Sequence, residues 1–148
     1  MYEYVVHNDA TADMRDAIHK DRAVGLKIVQ AVNALRESQD SMDRLTQADW
    51  GGSPSWPRPK KAFFNTGPWV EAQNGNMNLW RLRFFDEDIL GYRFIHAFFP
   101  SLNRYVLLAV VEKAEFGVIH DERFNYELEH PTSQRIARAY RELVDKYW

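Results

Sequence analysis

The chain contains no cysteine. That absence removes disulfides, thiolate nucleophiles and zinc–thiolate sites together, and it suits a reducing cytoplasm. Long apolar runs are also missing. The longest, "YVLLAVV" at 105–111, is far too short to span a bilayer and fits a buried central strand. The opening "MYEYVVHNDATADM" has no basic stretch followed by a long apolar one, so no secretory signal is expected. Charge of one sign is not in excess either: the formal net charge is −2. No global field therefore draws the chain to nucleic acid or to an anionic membrane, and any anion site has to be local. Glycine-rich phosphate loops, nucleophile elbows and the HExxH spacing are absent, and His120 and His130 are separated by acids without a recognised ligand pattern. No metal and no cofactor is expected.

What is present suits a folded domain. A length of 148 residues fits one domain, 1–148, and 45% hydrophobic content with nine Phe, seven Tyr and five Trp supplies its core. "YEYVVH" at 2–7 reads as a first strand. Asn8 or Asp9 then offers a cap for a helix striped by Met14, Ala17 and Ile18. A second helix carries Val24, Ile28, Ala31 and Leu35 at helical spacing, so the pair should form an antiparallel hairpin. "SMDRLTQ" either extends that helix or forms a separate turn. A Pro/Trp-rich stretch at about 50–66, "WGGSPSWPRPKKAFFNT", cannot be regular helix and is long for a connection, which marks it as an insertion loop. "GPWVEA" then reads as a short strand, "QNGN" as a turn, and the C-terminal "PTSQRIARAYRELVDKYW" as a helix striped by Ile136, Ala139, Tyr140 and Leu143. This order of elements is α+β, with helices expected on one face of a largely antiparallel sheet.

The most informative segment is "LWRLRFFDEDILGYRFIHAFF" at 79–99. Period-two alternation puts Arg81 and Arg83 on one side of the first strand and Trp80, Leu82 and Phe84 on the other. The second run adds Arg93, Tyr92 and His96. If the runs pair as a hairpin, three arginines gather, which is unfavourable unless something negative belongs among them. Arg58, Lys60 and Lys61 add to this basic island. A bland alternative stays open, because arginines on an exposed strand face are most often solvated or paired with acids, and Asp86, Glu87 and Asp88 stand in the turn.

The element order and the run "LWRLRF", "GYRFIHAF" and "YVLLAVVEK" resemble the RelE/ParE superfamily of type II toxins, nearest its RelE and HigB branches and phage-derived relatives. The likeness covers the whole chain in topology, while its motifs fall between Leu79 and Lys113. It implies a single RelE-like domain: an N-terminal strand and helical hairpin on the sheet, then a C-terminal helix. It also implies a cytoplasmic, metal-independent endoribonuclease that cuts messenger RNA on the ribosome and forms a hetero-oligomer with a cognate antitoxin. On this likeness Arg81, Arg83 and Arg93 match the family's basic residues, and Lys113 matches the cation ending the next strand. Arginine forks hold phosphate oxygens bidentately and stay charged, as stabilisation of a phosphorane requires. His96 or His120 then carries protons, Tyr92 or Trp80 contacts a base, and Lys60 and Lys61 add RNA contacts. The region beyond Lys113, "AEFGVIHDERFNYELEHP", leaves open whether Tyr126 or Arg123 takes part. Two other readings share the fold: a ParE-like gyrase inhibitor, and a catalytically inactive binding module.

Overall fold

The computed structural model describes residues 1–48, 50–51, 62–113 and 123–147. Strand β1 (Glu3–Val6) leads into helices α1 (Asn8–Lys20), α2 (Arg22–Arg36) and α3 (Gln39–Arg44). Strand β2 (Phe64–Pro68), the short helix α4 (Val70–Asn74), and strands β3 (Leu79–Phe84), β4 (Tyr92–Phe99) and β5 (Arg104–Glu112) follow, and helix α5 (Pro131–Tyr147) closes the chain. The strands form one sheet in the order β1-β5-β4-β3-β2, with β1 parallel to β5 and the other pairs antiparallel. The class is α+β with a mixed five-stranded sheet.

The apolar run 105–111 is indeed interior: Tyr105 to Val110 are buried between β1 and β4. Both faces of the sheet are covered, which corrects the expectation of helices on one face only. Tyr4, Phe64, Leu82, Phe94 and Leu107 pack against Ile28, Val32 and Leu35 of α2 and Met42 of α3. On the opposite face Leu79, Ile95, Ala97, Phe99 and Val106 pack against Ile136, Ala139 and Leu143 of α5. A half-polar helix such as α5 gains most of its stability from burying such a stripe.

Local chemistry explains the boundaries. His7, rather than Asn8 or Asp9, caps α1, its Nδ1 accepting from the Asp9 amide at 3.0 Å. Asp21 caps α2 through the Val24 amide, so the two helices meet in a tight link. Their close approach depends on Gly25, where a Cβ would stand 2.4 Å from Ile18 Cα. "SMDRLTQ" contributes to a separate helix, α3, capped by Ser38. The strand expected at "GPWVEA" is shifted: β2, at Phe64–Pro68, takes in the last residues of the expected 50–66 loop and the Gly67–Pro68 start of that segment, while Val70–Asn74 is helical. Pro68 lacks a ladder donor and sits last in an edge strand, which ends the pairing there. Among the described residues no helix is long and apolar enough to cross a membrane.

Candidate functional site

The β3–β4 hairpin expected from the sequence is formed. Its register pairs Arg81 with Ile95 and Leu82 with Phe94, so one step further Arg83 comes opposite Arg93. Arg81 and Arg83 share the face of Leu79 and Ile95, which α5 covers only in part. Toward the β3–β4 turn that face is taken up by cations. Lys113, just past β5, joins them: its amide donates to Gly91 O at 2.9 Å, and its ammonium feels the charges of Arg93, Arg81 and Arg83. Arg81, Arg83, Arg93 and Lys113 therefore share one surface.

Arg93 is held by the hairpin itself. Its Nη1 donates to Leu90 O at 2.8 Å and to Tyr92 O at 3.0 Å, which leaves other guanidinium donors available. Burial draws its pKa below the usual arginine range, and the Arg83 and Arg81 charges act in the same direction. Burial likewise lowers the pKa of Lys113, reinforced by Arg93, Arg81 and Arg83. The guanidinium of Arg83 lies 5.8 Å from the Phe85 ring.

The alternative that turn acids neutralise these arginines is not what the structure shows. Asp86 and Asp88 are engaged by Lys27 of α2. Among the described residues, no carboxylate lies within ion-pair distance of Arg81, Arg83, Arg93 or Lys113. Three half-buried arginines and an exposed lysine, with no ion-paired acid among the described residues, make a surface suited to an anion.

Tyr126 lies against this group. The Lys113 ammonium stands 5.5 Å from its ring centroid. Its backbone has φ +66°, a left-handed conformation that a bulky residue adopts only when the surroundings impose it. Those surroundings are aromatic: Trp69, Phe124 and Tyr126 pack edge to face, and Trp69 Nε1 donates to Tyr126 O at 3.0 Å. Phe124 is tied to the end of β5 through its amide to Glu112 O, at 2.9 Å. The buried Tyr126 hydroxyl lies beside Arg93, close enough for each to shift the other's proton affinity. No pair of atoms there has hydrogen-bond geometry, so the hydroxyl has no partner among the described residues. Burial raises the Tyr126 pKa despite the opposing charges of Arg93, Arg81 and Arg83. The phenol therefore stays protonated near neutral pH and is a donor awaiting an acceptor.

Other sequence candidates lie elsewhere. His96 is on the opposite face, 1% exposed, with Nε2 2.5 Å from the Tyr4 hydroxyl. Burial pushes its pKa down to about 3, and Nδ1 has no partner among the described residues. It cannot relay protons for the cation group, because the sheet separates them. Tyr92 is also turned away: it packs on the α1–α3 core and donates to Glu112 Oε1 at 3.1 Å. Its pKa is pushed up to about 12 by burial and by Glu112. Trp80 alternates away from Arg81, and its Nε1 donates to Asn78 Oδ1 at 2.8 Å. Both aromatic assignments are thus corrected by strand alternation. Lys60, Lys61 and His120 lie outside the described residues. Among the described residues no group of His, Asp or Glu is arranged to hold a metal ion.

A cavity of about 500 Å³ opens between α2 and the β3–β4 turn, lined by Lys27, Ala31, Phe63, Phe84 and Ile89. Among the described lining residues the one cation, Lys27, is already bonded to Asp86 and Asp88. The charge chemistry is therefore at Tyr126, not in this cavity. No protein-family model matches the chain, and no curated protein or solved structure matches it either.

Proposed function

We propose that this chain is the toxin component of a type II toxin–antitoxin system, a RelE/HigB-like, metal-independent endoribonuclease acting on messenger RNA at the ribosome. One observation carries the reading: four cations without an acidic partner among the described residues share one surface with the buried Tyr126 hydroxyl, which lies beside Arg93. A phosphodiester in an RNA backbone supplies what that group lacks, a diffuse negative charge and several acceptor oxygens.

In this reading Arg81, Arg83 and Arg93 grip the non-bridging oxygens of the scissile phosphate, and Lys113 adds to the field. The neighbouring 2′-oxygen attacks phosphorus, the bond to the 5′-oxygen breaks, and a 2′,3′-cyclic phosphate and a 5′-hydroxyl result. The requirement for that 2′-oxygen restricts the reaction to RNA. Arginines fixed by β3 and β4 stabilise the phosphorane's extra charge without reorganising. The 2′-hydroxyl gives its proton to solvent water, and the departing 5′-oxygen takes one from the Tyr126 phenol or the Lys113 ammonium, both protonated and both on this face, whereas His96 lies across the sheet. The arginine charges themselves neutralise the phosphate in this reading.

The cognate antitoxin is the second partner, and an acidic segment laid over the cations would silence the site. Because the whole chain carries a net charge of −2, RNA attraction has to come from this patch and should fall steeply with salt. The test adds purified chain to ribosomes programmed with end-labelled messenger RNA. Cleavage within the A-site codon, leaving a 5′-hydroxyl and lost in Arg93→Ala, is the expected result. Intact RNA together with inhibited gyrase supercoiling would replace this reading with the gyrase one.

A further inference from the structure

We infer that the exit of β2 is a positioning element for the anion site: Gly67 gives the Arg81 guanidinium its seat, and Trp69 holds Tyr126 in place. The inference rests on reading the cation group as a phosphate site, and it names residues outside that group.

Gly67 pairs with Arg81 across β2 and β3. A Cβ at Gly67 would stand 3.0 Å from Arg81 Nη2 and 3.2 Å from its Cζ. The guanidinium therefore lies directly over the bare glycine backbone. The backbone at Gly67 does not itself call for glycine, since Gly51 is the one glycine with a positive φ among the described residues. A glycine inside a strand weakens it, and such a site often marks a close approach by another group. Here the approaching group is the guanidinium. Thr66, the preceding residue, fixes the same spot from the other face, its hydroxyl bonding Leu45 O at 2.9 Å and Arg81 O at 3.1 Å.

Two residues on, Trp69 is 3% exposed, and its amide donates to Leu79 O at 3.1 Å. Its indole N–H satisfies the carbonyl of Tyr126, the residue whose backbone is left-handed. Its ring meets Phe124 at 5.4 Å and Tyr126 at 6.0 Å, edge to face. One short segment thus sets two members of the site that are far apart in sequence.

The experiment measures binding of inorganic phosphate to the full chain at fixed pH and ionic strength. Gly67→Ala and Gly67→Val are compared alone and in an Arg81→Gln background. Because the crowded atoms are the end of a flexible side chain, both variants should melt at or above the wild-type temperature. Phosphate affinity should fall by about threefold for Ala and about tenfold for Val, with no further loss once Arg81 is Gln. Trp69→Phe keeps a ring and removes the donor. It should weaken phosphate by about threefold in the wild type and not in Tyr126→Phe. Wild-type affinity in Gly67→Val, or equal losses with and without Arg81, would overturn the positioning role. Unchanged affinity in Arg81→Gln itself would instead remove the anion site, and the positioning role with it.

Discussion

Replacing Arg81 by Gln should stabilise the fold while abolishing activity. Arg81 faces three like charges, Arg83 beside it and Arg93 and Lys113 across the surface, and its charge acts on both of the latter. At a separation of ~8 Å and an effective dielectric of ~60, each repulsion is about 0.7 kcal/mol, so three sum to about 2. Ordinary salt screens roughly half of that and leaves about 1 kcal/mol, equivalent to a rise of about 2–5 °C in melting temperature. Glutamine keeps the first two carbons of the stem and removes the guanidinium that lies over Gly67. Urea unfolding at low and high salt is the assay. The variant should be more stable at low salt, the gain should vanish by about 0.5 M, and the m-value should not change. Sulfate should raise the wild-type midpoint more than the variant's, because only the wild type binds it well. Destabilisation at every salt concentration would refute the reasoning, since it would mean that Arg81 is already paired.

Three further outcomes follow from the same geometry. His96 is neutral in the fold with a pKa of about 3 and regains its ordinary value on unfolding, so the unfolded chain binds more protons between these values. Stability is thus full above about pH 6.5 and falls toward pH 3 by at most about 1.4 kcal/mol per unit, and His96→Gln should flatten that slope in acid-unfolding curves. Lys113 has a lowered pKa, so sulfate affinity, followed by calorimetry, should decline with rising pH before ordinary lysines titrate, and Lys113→Arg should remove the decline. Gly25→Ala would drive a methyl into the Ile18 backbone, 2.4 Å from Cα and 2.5 Å from N; separating α1 from α2 should cost about 2–3 kcal/mol by denaturant titration without altering phosphate affinity.

Much of the fold was legible because its signals are local. Residues 105–110 of the apolar run are buried on both faces, as its reading as an interior strand requires, and Ile136, Ala139 and Leu143 announce one apolar stripe that the fold buries. The arginine face was legible for the same reason: alternation alone separates Arg81 and Arg83 from Trp80 and Leu82. The same alternation excludes Tyr92 and His96 from the site, since they lie one and three residues from Arg93. What the sequence hid are relations between distant segments. Nothing in "ERFNYELEHP" shows that Tyr126 will be drawn to β3 and β4, because the indole bond and ring of Trp69 and the ring of Phe124, which hold it, are tertiary contacts. "GPWVEA" misled because Trp69 and Val70 have strand-forming side chains, yet Pro68 ends the ladder and the next residues close a turn of helix.

The central claim is that the cations on β3, β4 and the end of β5 cut RNA. Its most direct test is induced expression in a bacterial host of the wild-type chain and of an Arg81→Ala/Arg93→Ala double variant, with growth scored and transcript 5′ ends mapped. The account expects growth arrest and new 5′-hydroxyl ends inside translated codons for the wild type, and neither for the variant. Arrest without new transcript ends, or identical ends in both strains, would contradict it.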